Sequence, residues 1–449
     1  MTMKARRRGG SRADRARKPS AGSRQREAAL SIESLGARGD GIGALEGRKI
    51  FVPFSAPGDR VRVRVRVRLE PARADGVPAQ LLELVSSGPH RQDAPCLHFG
   101  ACGGCTVQHL EDESYAAWKR GLVVSALAHR GLDETPVAAL RRTPPASRRR
   151  AVFSARRGRK GVFLGFNERG STRLIDLEAC HVLRPEITAL LPRLRDALAA
   201  ALREGEPADI AVALLDDGLD VTIRAGRDPD LDGRLDLAAF AESSDLARLS
   251  WAAGSGAPEP IAHRRDGIVT FDGVPVIAPP GGFLQASREG EATLLDLVRE
   301  ATVEASSIVD LFSGIGTFAL PLARRAIVRA FDSDPVAIAA LDRAARFSDR
   351  TARISAAARD LFRDPLEPAE FGDAQAILFD PPRAGAREQA ARIAESGVPL
   401  IVGISCNPAS FARDARTLAD GGYRLEKVVP VDQFVWSAHV ELVGIFRRD

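Results

Sequence analysis

The sequence predicts an α/β protein. A Rossmann-like carboxyl-terminal unit follows an OB-like β-barrel near the amino terminus, with an α+β region between them. Three observations carry this reading. From about Val276 the apolar pattern falls into strand, helix, strand, with an acid and a glycine pair at the first turn. Residues 61–69, VRVRVRVRL, alternate strictly between valine and arginine before a final leucine. Cys96, Cys102 and Cys105, three of the five cysteines, crowd into ten residues.

A chain of 449 residues exceeds the roughly 150 typical of one domain, and 45 % hydrophobic content suffices for several cores. The expected division is a basic tail at 1–27, the barrel at 28–88, a central domain at 89–275 and the α/β domain at 276–449. No apolar run approaches the roughly 20 residues that span a bilayer. The arginine-rich start lacks the apolar stretch of a secretory signal. A cytoplasmic protein without a membrane partner is expected. Residues 1–27 carry ten Lys/Arg and two Asp/Glu, a net +8 against +5 for the whole chain, so the remainder is net acidic. The tail is a polyelectrolyte arm that either meets nucleic acid phosphates or is a solvated, dispensable extension, and contacts elsewhere must come from local patches.

In the barrel region, glycines at 39–43 and Pro57-Gly58-Asp59 mark turns, and the alternating segment places valine inward and arginine outward. Four or five short strands of this kind fit a barrel that binds oligonucleotides. Alternating arginines without acidic partners repel one another, so this face is expected to meet phosphate.

The cysteines read C-x5-C-x2-C, with Cys180 further on. In a cytosolic chain this spacing argues for a metal site rather than disulfides. All-thiolate ligation suits either a tetrahedral zinc or an iron-sulfur cluster, and spacing alone does not choose. His98, His109 and His181 are expected to pack or hydrogen-bond instead. Residues 148–160 hold seven basic side chains and read as a phosphate-contacting strand. Residues 210–271 look like a scaffold sheet.

In the carboxyl-terminal unit, Asp310, Phe312, Gly314 and Gly316 form D-x-F-x-G-x-G between a strand and a helix, and the next strand ends at Asp332. The glycines allow close backbone approach, and the second-strand acid can accept from ribose hydroxyls. The pattern is not G-x-G-x-x-G, so S-adenosylmethionine is favoured over a dinucleotide. Asp360 stands either near the adenine or as a helix cap. Asp380-Pro381-Pro382-Arg383 is a stiff loop at the end of another strand. Finally, IVGISCNPASFARD places Cys406 at the carboxyl end of a buried strand, where open α/β sheets do chemistry.

Together FLQAS with Gln285, DLFSGIG, FDPPRAG, GISCNPASFARD and the terminal HVELVGIF resemble the RNA uracil-C5-methyltransferase family. The cysteine spacing and the barrel, which ends in SSGPHRQDAPC and is similar to a TRAM domain, resemble its iron-sulfur-containing 23S ribosomal RNA branch. The likeness covers residues 30–446. It implies a Rossmann-like S-adenosylmethionine-dependent methyltransferase domain, a TRAM barrel and a central iron-sulfur α+β domain. It also implies methylation of uridine C5 in ribosomal RNA by a monomer.

Uracil C5 is a weak nucleophile, so a thiolate first adds to C6; Cys406 is the candidate. By resemblance Glu441 removes the C5 proton, Gln285, Phe312, Asp332 and Asp380 contact the cofactor, and Cys96, Cys102, Cys105 and Cys180 hold a [4Fe-4S] cluster. Arg383 is expected either to touch the target nucleotide or to form a structural ion pair. The chain departs from the family pattern at Ser313, at Ser287 where Asn is usual, and at Asp332 where Glu is frequent. The last could alter cofactor affinity. Two alternatives stand beside this reading: the same reaction on transfer RNA, and a catalytically idle RNA-binding clamp. The low aromatic content, 5 %, leaves the base-stacking platform unassigned.

Overall fold

The computed structural model describes residues 24–67, 76–348 and 353–448. Most of the expected basic tail, residues 1–23, and the end of the alternating segment at 68–69 lie outside the described residues. The chain divides into two compact units, one of residues up to 36 together with 40–89, the other of 37–39 together with 90 onward.

The first unit is a closed five-stranded barrel in the order Arg24–Leu35, Gly41–Leu45, Arg48–Val52, Val77–Ser86, Arg60–Val67. Val61, Val63 and Val65 point into its core with Leu30, Ile32, Ile50 and Val52. Two expectations change. The first strand begins at Arg24, inside the span assigned to the tail, because its backbone pairs with the alternating strand from Arg24 opposite Val67 to Ser31 opposite Arg60. The outward arginines are also not without acidic partners. Arg62 pairs with Glu83 at 2.7 Å and with Glu27 at 3.3 Å, and Arg64 with Glu27 at 2.8 Å. Neighbouring strands supply these carboxylates, which a reading along one strand does not see.

The second unit is built on two large sheets. A seven-stranded sheet runs in the order Glu259–His263, Arg248–Ala253, Leu219–Ala225, Pro207–Leu214, Arg150–Gly158, Gly161–Asn167, Leu174–Asp176. Helices Pro185–Ala201 and Leu231–Ser243 cover its core. An eight-stranded sheet runs in the order Ile354–Ala358, Ile327–Asp332, Ser307–Leu311, Ala376–Phe379, Leu400–Ser405, Glu441–Arg447, Arg424–Asp432, Arg141–Arg142. Its first five strands are parallel, and Glu441–Arg447 runs antiparallel to both neighbours. Along the parallel strands alternate residues enter different cores, Ile308, Ala376 and Leu378 on one side and Val309, Ile377 and Phe379 on the other. Parallel strands buried on both faces read as unbroken apolar runs, which is why this region was legible.

The parallel topology sends the strand ends at Leu311, Asp332, Phe379 and Ser405 to one edge. The antiparallel final strand begins there with Glu441. The helix Asp112–Ala128 packs on Pro408–Asp420 and on Arg424–Asp432, and Arg141–Arg142 joins the large sheet, so this part of the segment before the seven-stranded sheet belongs with the eight-stranded half of the unit.

Arg149 corrects the reading of 148–160 as a uniform phosphate-contacting ribbon. It is 1 % exposed, pairs with Glu291, and donates through Nε to the Gln285 carbonyl at 3.1 Å. Burial pushes the Glu291 carboxyl up, partly offset by Arg149. Removing one partner strands the other charge away from water, so Arg149→Ala is expected to destabilise the unit by about 3–5 kcal/mol, read from urea denaturation. A loss below about 1 kcal/mol would show that water reaches Glu291 freely.

Candidate functional site

Cys406 follows a strand whose six residues, Leu400–Ser405, are all buried. Asn407 ends the strand and caps the next helix, its side chain accepting from the Ala409 N–H at 3.1 Å, with Pro408 at the first helical position. The same segment fixes the neighbouring loop. Asn407 Nδ2 and Ser410 Oγ both donate to the Arg383 carbonyl, at 3.0 and 3.1 Å, and Asp414 accepts from the Ala386 N–H at 2.8 Å. The residues around Cys406 thus hold the loop after Asp380 against the thiol. Burial pushes the Cys406 thiol up to about 11, with Glu441 and Asp380 adding in the same direction.

Two carboxyls and two amides form a hydrogen-bonded chain beside it. Gln285 Nε2 donates to Asp380 at 3.0 Å, Gln433 Nε2 donates to Gln285 Oε1 at 2.9 Å, and the same Nε2 donates to Glu441 at 2.7 Å. Gln433 Oε1 in turn accepts from the Ala286 N–H at 3.2 Å. Burial pushes Glu441 up to about 8, with Asp380 contributing and the Gln433 bond opposing. Burial also raises Asp380, against the bond from Gln285. A buried acid held near neutrality is suited to proton transfer.

The turn after Ser307–Leu311 forms the opposite wall. Phe312 has φ +64° and its ring lies 5.6 Å from that of Phe362. Such a φ in a bulky residue is strained and persists only where the surroundings impose it. Gly316, with φ +95°, has no room for a side chain, since a Cβ would come within 2.5 Å of Leu341. Asp332 accepts from the Gly314 N–H at 2.9 Å and from the Asp334 N–H at 2.8 Å. A carboxylate has about four acceptor positions, so capacity remains for a diol. Gln285, Phe312, Asp332 and Asp380 line one cavity of about 460 Å³ together with Cys406 and Glu441.

A second cavity, of about 500 Å³, is lined by Cys96, Cys102, Cys105 and Cys180, again with Cys406. The two cavities share Arg383, Cys406 and Phe434. The cysteine loop is fixed against the strand Gly161–Asn167 by the Gly103 N–H, which donates to the Asn167 carbonyl at 3.0 Å. A Cβ at Gly103 would come within 2.6 Å of that oxygen. Among the described residues no group of three or more His, Cys, Asp or Glu is arranged to hold a single metal ion. His98 accepts from the Glu178 N–H at 3.0 Å, a structural bond of the kind expected of it.

All ten site residues expected from the sequence therefore line these two adjoining cavities. Asp360 does not line the cofactor cavity; it accepts from the Phe362 N–H at 3.1 Å and pairs with Arg363 within a turn, and no helix begins there for it to cap. Arg383 lines both cavities, and among the described residues no ion pair involves it, which disfavours the structural alternative. Of the basic stretch, Arg148 and Arg150 reach the cavities. Sequence reasoning missed Gln433 and Phe434. No spacing marks them, because their partners Gln285 and Lys119 lie far away along the chain.

Residues 279–448 match the family described as tRNA (Uracil-5-)-methyltransferase, and residues 30–71 match the TRAM domain of tRNA (uracil(54)-C(5))-methyltransferase. An uncharacterized RNA methyltransferase of Brucella suis is 44 % identical over 93 % of this chain and 97 % of its own length. The 23S rRNA (uracil(1939)-C(5))-methyltransferase of Chromohalobacter salexigens is 32 % identical over 94 % of this chain and 89 % of its own. Among solved structures, the Pyrococcus abyssi tRNA (uracil-54, C5)-methyltransferase in complex with S-adenosyl-L-homocysteine superposes with a TM-score of 0.72. It is 26 % identical, over 93 % of this chain and 99 % of that one. No helix among the described residues is long and apolar enough to cross a membrane. The chain belongs to the RNA uracil-C5-methyltransferase family, whose members act on RNA with S-adenosylmethionine.

Proposed function

We propose that this protein methylates C5 of a uridine in 23S ribosomal RNA, with Cys406 bonded transiently to C6 and Glu441 removing the C5 proton. The observation that supports it most is that Cys406 and Glu441 line one cavity with Gln285, Phe312, Asp332 and Asp380. The ribosomal substrate is favoured by the Chromohalobacter relative, similar along nearly the whole chain. Transfer RNA is the second reading, favoured by the Pyrococcus neighbour. Mapping 5-methyluridine in ribosomal and transfer RNA from cells lacking the protein decides between them. Loss from ribosomal RNA is expected, and loss confined to transfer RNA would overturn the assignment.

The Cys406 thiol, which is only partly buried, gives its proton to water and its sulfur adds to C6, and the C5–C6 electron pair moves through C5 toward O4. When bound, S-adenosylmethionine supplies an electrophilic methyl, which the activated C5 takes. Asp332 and the Gly314 turn are assigned to its ribose, Phe312 to its adenine, and Gln285 and Asp380 to the reacting end. Glu441, ionised and held by Gln433, then takes the C5 proton. The freed electron pair restores C5=C6 and expels the Cys406 thiolate.

The four cavity cysteines are assigned to a [4Fe-4S] cluster. Support comes from four thiols lining one cavity, a set suited to all-sulfur ligation, with a tetrahedral zinc as the alternative occupant. The cluster would cross-link Cys96, Cys102 and Cys105 to Cys180, a structural role, since methyl transfer needs no electron.

RNA containing 5-fluorouridine at the target should form a denaturation-resistant adduct with the wild-type protein and none with Cys406→Ala, seen as a shifted band on a denaturing gel. Glu441→Gln should lower turnover by about 10²–10⁴ and accumulate the adduct even on ordinary RNA. Both Glu441 and Cys406 act ionised, so turnover should rise with pH, steeply up to about 8, where Glu441 titrates, and less steeply above it toward about 11, where Cys406 does. A turnover rate flat across this range would refute the assignment of Glu441. Protein purified without oxygen should contain iron and acid-labile sulfide in equal amounts, lost together in Cys105→Ser; stoichiometric zinc instead would refute the cluster.

A further inference from the structure

A pyrimidine attacked at C6 must present a ring face to sulfur and be held in that plane, because the thiolate approaches along the ring normal. Among the described residues Phe434 is the one aromatic side chain that lines both the cofactor cavity and the cysteine cavity, as Cys406 also does. Phe283, Phe312 and Phe362 line only the first, and Phe99 and Phe166 only the second. Phe434 is half-buried, so part of the ring remains open to the cavities.

Its position is fixed in advance. The Phe434 carbonyl accepts from Lys119 Nζ at 3.0 Å, from the Ser437 N–H at 3.1 Å and from Ser437 Oγ at 3.0 Å. The His439 ring meets the Phe434 ring edge-on, with centroids 5.9 Å apart at 71°, and the Arg148 guanidinium lies 5.9 Å from its centroid. The preceding residue, Gln433, holds Glu441. One dipeptide thus orients the proton-accepting carboxyl with one side chain and offers an aromatic surface beside the thiol with the next.

We propose that Phe434 is the stacking wall for the extruded uracil, setting the plane in which C6 faces Cys406 and C5 faces Glu441. This rests on the covalent reading above. Stacking of a base on an aromatic side chain is sequence-tolerant, so Phe434 fixes orientation, and the choice of base is left to polar groups of the cavity.

The test is a cycle on the full chain with a synthetic RNA hairpin spanning the mapped uridine, carrying either uracil or an abasic ribose at that position. Binding by the wild-type protein should fall about 5- to 100-fold when the base is removed. Phe434→Leu should lose most of that range on uracil RNA and show little further loss on abasic RNA; Phe434→Tyr should restore the difference. Should Phe434→Leu not fold, as judged by cofactor binding, Phe434→Met carries the same comparison. Equal losses on both RNAs, or an unchanged preference for uracil in the variants, would overturn the proposal. The wild-type adduct on 5-fluorouridine RNA is scored in parallel. If it forms while the cycle shows no coupling, the stacking role fails alone; if it does not form, the covalent reading fails.

Discussion

The buried ion pair of Lys119 and Asp432 is the constraint on which the active-site edge of the large sheet depends. Lys119 is fully buried, 2.8 Å from Asp432, and its remaining donors go to the carbonyls of Phe434 and His439. Tyr115, one turn earlier on the same helix, donates to the other Asp432 oxygen at 2.5 Å and accepts from the Trp436 N–H at 2.9 Å. Burial lowers the Lys119 ammonium and Asp432 opposes that shift. A buried pair of this kind contributes little net stability over an apolar pair of the same shape, but it specifies geometry. Here it fixes residues 433–440, a loop that turns through a positive φ of +58° at Trp436.

That loop is also joined to the cysteine segment. The Thr106 and Val107 N–H groups, immediately after Cys105, donate to the Trp436 carbonyl at 2.8 and 3.1 Å. Helix Asp112–Ala128 grips the loop through side chains, and the cysteine segment grips it through backbone. The cysteine segment and the strand that begins at Glu441 are thus tied to one loop by two backbone hydrogen bonds, at Trp436, five residues before Glu441.

Much of this was legible in the sequence where chemistry is local. The apolar runs ending at Asp332, Asp380 and Cys406 announced the strands of the carboxyl-terminal sheet, and the glycine turn announced close backbone approach at its first strand end, whereas the cysteine spacing was read as a metal site and the structure shows its four thiols lining a cavity. What stayed hidden depends on tertiary partners. Glu27 and Glu83 neutralise the arginine face from other strands. Arg149 looked like part of a phosphate ribbon because Glu291 lies 142 residues away. Gln433 and Phe434 carry no spacing signal, since a neutral amide and a lone phenyl ring gain meaning only from what the fold sets against them. Ser287, flagged as a departure, proves to be a buried helix cap that accepts from the Gly290 N–H at 3.0 Å, a task serine performs as well as asparagine.

The amide chain from Asp380 to Glu441 has a consequence for where a proton can go. Both glutamines present N–H donors to the terminal carboxylates, and an amide nitrogen has neither the basicity nor a free lone pair to hand hydrogen ions along. The two acids therefore feel each other's charge but are insulated from exchange along that line. If Glu441 is the base proposed above, the proton it takes must leave by way of the cavity it shares with Cys406 rather than along the amides.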